Sequence, residues 1–210
     1  MKILLIRHAE MAGDPFVKPL PPVKKCLSKK GIRQAKKLGK KLSTENIDIA
    51  FSSPYGRALQ TAEIALTKKI PIKILDFLHE WMPDTKLSNL PSTKYEKIQK
   101  MNSELYAEQT WKTELGEGTF DMYARICPPF LKELEKLGIK AACGGYLLTK
   151  RAEKLNIAVF AHGGTLNILL SFILELRPFP VGRFSFLHTG IAKIKFSEKK
   201  NIFYPSLEIE

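Results

Sequence analysis

Five side chains that can do chemistry follow closely after apolar runs of the sequence. Arg7 and His8 end the run KILLIRH, His162 ends NIAVFAH, and Arg57 and Glu80 come shortly after two other runs. Arginine forks bind phosphate oxygens, and a neutral histidine nitrogen can attack phosphorus. A carboxyl group can protonate a leaving oxygen and later accept a proton from water. The set therefore suits phosphoryl transfer through a phosphohistidine.

Short apolar runs alternate with helical patterns along the chain. The runs at 2–8, 47–53, 70–77 and 156–162 predict strands, and a fifth candidate lies at 191–196. This alternation predicts an α/β fold, a three-layer α/β/α sandwich around a mostly parallel sheet. Because the carboxyl ends of parallel strands line one edge of a sheet, we expect the five side chains to meet in one pocket there.

Two predicted helices carry start signals. In GIRQAKKLGKKLS the apolar residues fall three or four apart, and Ser28 is expected to cap the helix. In SSPYGRALQTAEIAL we expect Ser53 to be the N-cap and Pro54 the first helical residue, where a missing N–H costs nothing. The second helix start would add a favourable dipole for a bound anion.

The interval 81–118 differs from its surroundings. It is polar and lysine-rich, contains Pro83 and Pro91, and lacks a clean strand before the helical pattern FDMYARICPPFLKELEKL. We therefore interpret residues 1–210 as a single domain with an insertion at about 81–118. The insertion is expected to lie over the C-terminal strand edge and to cap the substrate site.

The composition is strongly basic. Lys and Arg total 34 against 21 Asp and Glu, a formal net charge of +13 that suits an anionic partner. The lysines are scattered along helices without interleaved aromatics, which favours a solvated basic surface over a nucleic-acid partner. The apolar stretch at 166–176 is too short to cross a bilayer, and Arg7 and His8 interrupt the N-terminal run, so no membrane partner is expected.

The three cysteines, Cys26, Cys127 and Cys143, are far apart and show no C-x-x-C spacing. This argues against a disulfide framework or a zinc site and favours a reducing compartment, so we expect a cytoplasmic protein. His79 with Glu80 is the alternative start of a metal site, but no H-E-x-x-H spacing supports it. The sequence therefore predicts no metal and no cofactor.

Four blocks of the sequence resemble the motifs of the histidine phosphatase superfamily, in its phosphoglycerate-mutase-like branch. They are LLIRHAE, SSPYGRALQTAE, LHEW and FAHGGTL, in the family's order, and LSKKGIRQA and GEGTFDMYARI extend the match. The resemblance implies that His8 is the phosphorylated nucleophile and Glu80 the acid and base. It also implies that Arg7, Arg57 and the catalytic His162 hold the phosphoryl oxygens, and that no metal is used.

The first block and the residues that follow it depart from the family pattern. Ala9 replaces the usual glycine and adds one methyl group. The commonest mutase pattern continues RHGESxWN, whereas this chain has Met11 and Asp14 where Ser and Asn are usual. A polar phosphate contact is lost and a negative charge enters nearby, which disfavours a mutase unless the loop is rerouted at Gly13 and Pro15.

Several glutamates compete for the acid and base role. We assign it to Glu80 because that residue follows a predicted strand, as such an acid should. The competing carboxylates are Glu10, Glu63 and Glu117. His79 and His188 lack a catalytic context and are predicted to be structural or surface residues.

The leading functional prediction is a metal-independent phosphatase that hydrolyses a small phosphomonoester through His8. A phosphoglycerate mutase is the nearest enzymatic alternative, because it differs only in returning the phosphoryl group to the substrate. A non-catalytic protein of the same fold, binding a partner through its basic surface, is the third. A phosphohistidine-protein phosphatase would need an open pocket, which the insertion at 81–118 is expected to cover.

Overall fold

A curled eight-stranded sheet lies at the centre of the computed structural model. The structure describes residues 1–12, 26–66, 70–81, 97, 100, 112–113, 116–142, 144–177 and 184–208. The strands are β1 (Lys2–Arg7), β2 (Ile49–Ser52), β3 (Ile72–Ile74), β4 (Lys112–Thr113), β5 (Gly116–Glu117), β6 (Ile139–Ala142), β7 (Gly145–Leu148), β8 (Asn156–Ala161), β9 (Ile191–Lys199) and β10 (Ile202–Glu208). The helices in this part of the chain are α1 (Lys29–Leu42), α2 (Gly56–Ala65), α3 (Thr119–Lys136) and α4 (Gly163–Ile173).

The sheet is parallel in one half and antiparallel in the other. Its order is β3-β2-β8-β1-β9-β10-β7-β6, while β4 and β5 form a separate two-stranded ribbon. The first four strands run parallel to one another, and each later neighbour is antiparallel. The predicted α/β fold is confirmed, but the mostly parallel sheet holds only for the half that contains β1. The two-residue turn between β9 and β10 explains part of the difference, because Lys200 and Asn201 take positive φ values that suit a tight hairpin.

Helices cover both faces of the parallel half. Side chains of β1 alternate between two apolar clusters, with Ile3 and Leu5 on one face and Leu4 and Ile6 on the other, all fully buried. Helices α3 and α4 pack on the first face, and α1 and α2 supply the second cluster. The described residues thus form the three layers that the sequence predicts.

One of the two predicted helix caps is confirmed. Ser28 caps α1, since its Oγ accepts a hydrogen bond from the Gly31 N–H at 2.9 Å. The prediction for α2 is wrong, because this helix begins at Gly56 with Tyr55 as a cap that makes no side-chain bond. Ser53 instead lies before the helix, where its hydroxyl accepts from the Tyr55 N–H at 3.2 Å and contacts His162.

Several sequence predictions fall on residues outside the described ranges. These are most of the insertion at 81–118, the acidic Asp14 and its neighbours, and Cys143. Cys26 and Cys127 are both free thiols. Within the described ranges, every helix is too short or too polar to traverse a lipid bilayer.

Candidate active site

The structure brings all five predicted site residues to one edge of the parallel half-sheet. Arg7 is the last residue of β1 and His8 follows it, while His162 follows β8 and is the N-cap of α4. Arg57 lies in the first turn of α2, after β2. Glu80 follows β3 through a 3₁₀ turn at Asp76–Leu78. Because these strands are parallel neighbours, residues separated by up to 155 positions lie side by side.

Two hydrogen bonds orient the His8 ring. Its Nδ1 lies 2.7 Å from the carbonyl oxygen of Ala9, and its Nε2 lies 3.2 Å from Nε of Arg57. A carbonyl oxygen only accepts hydrogen bonds, so Nδ1 carries the proton. Nε2 therefore has a lone pair, and it accepts from the guanidinium N–H of Arg57.

His8 is held in its neutral form. Its side chain is buried, and burial together with the neighbouring Arg57 and Arg7 lowers its pKa to about 3. His162 is fully buried, and burial followed by the charge of Arg57 also lowers its pKa well below the ordinary value. The two rings lie 5.1 Å apart between centroids. At neutral pH both are uncharged imidazoles beside two guanidinium groups.

Two buried polar atoms beside His8 have no hydrogen-bond partner among the described residues: Nε of Arg7 and Nδ1 of His162. Arg7 does donate through Nη1 to the Phe186 carbonyl oxygen at 2.6 Å, which fixes the plane of its guanidinium. Nε2 of His162 lies 2.8 Å from Oγ of Ser53. Buried polar atoms in native proteins rarely lack partners, so these two are places where an anionic ligand can bind.

The Glu80 carboxylate lies at the N-terminus of α4. It accepts hydrogen bonds from the backbone N–H groups of Gly164 and Thr165, each at 3.3 Å, and from that of Trp81 at 2.9 Å. Its charge also acts on Arg57, whose pKa burial lowers and Glu80 raises. Glu80 is therefore close to the same arginine that contacts His8.

The carboxylates of the three competing glutamates are paired with basic side chains or exposed. Glu10 pairs with Lys30 at 2.7 Å and accepts from the Ser28 hydroxyl at 2.8 Å. Glu117 binds the Arg125 guanidinium at 2.6 and 2.8 Å, and Glu63 is exposed on α2. Within the described residues, Glu80 is thus the carboxylate whose oxygens reach the helix that follows His162.

Hydrogen bonds from the side chains of Arg125 and Trp81 fix the backbone next to Glu80. Arg125 of α3 donates to the carbonyl oxygens of Phe77 at 2.7 Å and His79 at 3.2 Å, while its other nitrogens hold Glu117. Trp81 Nε1 donates to the Glu117 carbonyl oxygen at 2.7 Å. These bonds tie both ends of the interval 81–118 to the segment next to Glu80.

The sequence prediction missed three residues of the site. His188, expected to be structural or on the surface, has its half-buried ring 5.5 Å from that of His8. The Tyr55 ring lies 5.3 Å from the His162 ring and packs against the Arg57 guanidinium at 4.9 Å. Ser53 contacts His162 directly. The sequence could have indicated Ser53 and Tyr55, because they lie in the same motif block as Arg57. His188 has no motif around it.

The departures in the first block introduce no positive φ angle among the described residues 1–12. Ala9 is fully buried, and its N–H donates to Oγ1 of Thr61 at 3.0 Å. Met11 forms an isolated antiparallel bridge with Leu27. No cluster of three or more potential metal-binding side chains occurs in the described part of the chain.

Comparison with known proteins identifies the class to which this fold and site belong. The family model for the histidine phosphatase superfamily, branch 1, matches residues 3–204. The chain therefore belongs to the histidine phosphatase superfamily, as the four sequence blocks predict.

The relatives of similar sequence include both a phosphatase and a mutase. Phosphoserine phosphatase 1 of Hydrogenobacter thermophilus is 29% identical over 143 residues, which cover 65% of each chain. A 2,3-bisphosphoglycerate-dependent phosphoglycerate mutase of Arabidopsis thaliana is 26% identical over 195 residues, covering 83% of this chain and 58% of the mutase. The chain thus spans less than two thirds of the length of both relatives.

Solved structures of similar proteins share the fold. A mycobacterial glucosyl-3-phosphoglycerate phosphatase, solved with VO3, superposes with a TM-score of 0.72 at 17% identity, covering 100% of this chain and 98% of that one. The α-ribazole phosphatase of Shigella flexneri gives a TM-score of 0.69 at 20% identity, covering 100% and 95%. At these identities the likeness establishes the fold alone.

Proposed function

We propose that this protein is a phosphatase that hydrolyses a small phosphomonoester through a phosphohistidine on His8. The observation that carries the proposal is the orientation of His8. Its Nδ1–H donates to the Ala9 carbonyl oxygen, so Nε2 is unprotonated and its lone pair accepts only the 3.2 Å hydrogen bond from Arg57 among the described residues. Since its pKa is lowered to about 3, His8 is a neutral nucleophile at physiological pH.

In the first step, Nε2 of His8 attacks the phosphorus and the bond from phosphorus to the ester oxygen breaks. The protonated Glu80 carboxyl group gives its proton to that oxygen, which departs as the alcohol. The guanidinium groups of Arg7 and Arg57 and the His162 N–H stabilise the charge on the three equatorial oxygens. Nε of Arg7 and Nδ1 of His162, which have no hydrogen-bond partner among the described residues, support this assignment.

In the second step, water attacks the phosphohistidine. Glu80, now a carboxylate, accepts a proton from that water, the bond from phosphorus to Nε2 breaks, and inorganic phosphate leaves. The proton is thereby returned to Glu80, and the electron pair of the broken bond returns to Nε2 of His8. The three backbone N–H groups around the Glu80 carboxylate hold it in position in this half of the cycle. The cycle needs no metal, so chelators are expected to leave activity intact.

The substrate is proposed to be a small phosphorylated metabolite in the cytoplasm. The names of two relatives support this class, phosphoserine phosphatase and glucosyl-3-phosphoglycerate phosphatase. We further propose that residues 1–210 act as one domain in which the insertion at 81–118 caps the site. Its described ends support this, because Trp81 and Glu117 are hydrogen-bonded to each other directly beside Glu80.

A phosphoglycerate mutase is the second candidate. It is favoured by the similarity of the chain to the Arabidopsis thaliana mutase over 195 residues. Met11 counts against it, because the polar phosphate contact of the usual serine is missing at that position. The two candidates share the first step and differ in whether water or the substrate removes the phosphoryl group from His8.

The deciding experiment measures phosphate release from p-nitrophenyl phosphate and a panel of phosphorylated metabolites in EDTA. His8→Asn is expected to abolish release and the acid-labile phosphorylation of the peptide that contains residue 8, measured by mass spectrometry. Arg33→Ala, which removes an exposed charge from α1, is the matched control for a folded active enzyme. Phosphoglycerate interconversion without net phosphate release would instead establish the mutase. Salt-sensitive nucleic-acid binding without turnover would establish the non-catalytic protein.

A further inference from the structure

Ser53 and His162 form a buried pair next to the nucleophile. Both side chains are fully buried, and Oγ of Ser53 lies 2.8 Å from Nε2 of His162. The other ring nitrogen of His162, Nδ1, has no hydrogen-bond partner among the described residues. The question that decides the chemistry of His162 is therefore which of its two nitrogens carries the proton.

The hydrogen-bonding capacity of the Ser53 hydroxyl answers this question. Within the described residues, Oγ of Ser53 has two hydrogen-bond contacts, Nε2 of His162 and the backbone N–H of Tyr55 at 3.2 Å. The Tyr55 N–H is only a donor, so it cannot receive the hydroxyl proton. Among the described residues, the Ser53 hydroxyl can therefore donate a hydrogen bond only to Nε2 of His162. In a neutral ring this places the His162 proton on Nδ1.

We infer that Ser53 is a positioning residue that fixes His162 in the Nδ1–H tautomer, so that His162 donates a hydrogen bond to the transferring phosphoryl group. The inference rests on the proposed function and adds a residue that does not touch the substrate. In the opposite tautomer, Nδ1 would present a lone pair to a negatively charged oxygen, and attraction would become repulsion. Without the hydroxyl, Nδ1 of His162 could either accept or donate a hydrogen bond. With it, Nδ1 can only donate.

The neutral state of the ring makes the tautomer decisive. If His162 were an imidazolium, both nitrogens would donate and the Ser53 hydroxyl would be irrelevant. Burial and the positive charge of Arg57 lower its pKa well below the ordinary value, and the nearby His8, His79 and Arg7 act in the same direction. A single proton is therefore shared between two possible sites at working pH.

Nuclear magnetic resonance of protein labelled with ¹⁵N in its histidine rings tests the inference directly. In the native protein, His162 is expected to show the pattern of an Nδ1-protonated neutral ring. Ser53→Ala should produce a mixture or the opposite tautomer, and Ser53→Thr, which restores a hydroxyl, should recover the native pattern. Ser52→Ala is the matched control, because it removes a buried neighbouring hydroxyl that donates only to the Ser53 carbonyl oxygen at 3.0 Å.

The functional readouts are kcat/KM on the best phosphomonoester and the dissociation constant of orthovanadate. Ser53→Ala is expected to lower kcat/KM and to raise the dissociation constant of orthovanadate, each by about 10- to 100-fold. Losses of this size are typical when a group that orients a metal-binding histidine is removed. Ser52→Ala is expected to lose much less. The inference is overturned if native His162 carries its proton on Nε2, or if Ser53→Ala keeps the native tautomer and vanadate affinity. Absence of turnover in the native protein would contradict the proposed function alone, since the resonance and vanadate measurements decide the inference without catalysis.

Discussion

The Nε–H of Arg57 donates to Nε2 of His8 across 3.2 Å, so a guanidinium lies against the nitrogen to which we assign nucleophilic attack. The guanidinium of the same arginine also packs on the Tyr55 ring, with Cζ 4.9 Å from the ring centroid, which limits its movement. Arg57 therefore has two effects on His8. Its charge adds to burial in keeping the ring neutral, and its remaining N–H groups, which bind no other described residue, can donate to phosphoryl oxygens close to Nε2.

Arg57→Ala is expected to lower kcat/KM by about 100-fold or more, the cost of losing one preorganised donor to a developing anion. It should also raise the pKa of His8, because one of the positive charges that oppose protonation is gone. Steady-state kinetics and a resonance titration of His8 measure the two effects. Arg33→Ala removes an exposed positive charge from α1 and should change neither. An unchanged His8 pKa in Arg57→Ala would contradict the electrostatic part of this account.

Glu80→Gln is expected to slow alkyl phosphates far more than p-nitrophenyl phosphate. An alkoxide leaving group needs a proton from Glu80, whereas p-nitrophenolate departs without one. The measurement is the rate of phosphoenzyme formation for each substrate under single-turnover conditions. Glu63→Gln, at an exposed position of α2, is the matched control. Equal losses on both substrates would assign Glu80 a role other than proton donation.

Gly164→Ala should displace the Glu80 carboxylate without unfolding the protein. A Cβ at this position would lie 2.7 Å from Oε1 of Glu80, the end of a flexible side chain, and 3.3 Å from the terminal carbon of Met122. We expect kcat to fall by about tenfold or more, in line with the loss of a correctly placed general acid. In Gly163→Ala the Cβ would meet Nε of Arg7 only at 3.9 Å, an ordinary contact. Comparable losses of kcat in the two variants would reject this explanation.

The free energy of unfolding should depend on pH through His8. The unfolded chain protonates this histidine near pH 6.5, whereas the folded protein does so only near pH 3. Between these values the unfolded state binds more protons, so stability falls as pH is lowered, by about 1.4 kcal/mol per pH unit for one such group. His8→Asn should flatten the profile by that amount. Urea unfolding at pH 6.5, 5.5 and 4.5 measures it, and parallel profiles would contradict the lowered pKa.

Much of the parallel half of the fold could be predicted from its sequence, because three of its four strands, β1, β2 and β8, are largely buried on both faces. Ile3 to Ile6 are all fully buried, so β1 is a continuous apolar run that stands out from its surroundings. Strand β9 was also predicted, although not its antiparallel direction. Strands β6 and β7 are four residues each with exposed positions, and they carry no comparable signal.

Strand β10 was missed because Pro205 lies within it. Proline lacks the N–H that a strand donates, and it argues against a central strand. The pairing shows why it is tolerated here: among the described residues β7 pairs with β10 only at Phe203, so from Pro205 onward β10 pairs there with β9 alone. That arrangement depends on contacts between distant segments, which local sequence patterns do not report.

The candidate site was largely predictable because each polar residue lies at the end of a strand or within six residues after one. His188 was not, since its position beside His8 depends on the loop before β9. The Thr189 N–H donates to the Arg7 carbonyl oxygen at 3.1 Å and Arg7 N–H donates to that of Gly190 at 3.1 Å. These bonds bring residues 187–190 against the end of β1. The Ser53 prediction failed for a related reason, because its hydroxyl has a better partner in His162 than in the helix start.

The place of β1 in the sheet also determines when the protein can become active during its synthesis. Lys2 lies opposite Asn156 of β8 on one side and Lys195 of β9 on the other. The strand that presents His8 leaves the ribosome before both of its neighbours in the sheet, which emerge more than 150 residues later. At about 5–20 residues per second, this apolar strand waits on the order of ten seconds or longer for its partners. Nascent chains that end before β9 should therefore be inactive and depend on chaperones that shield β1.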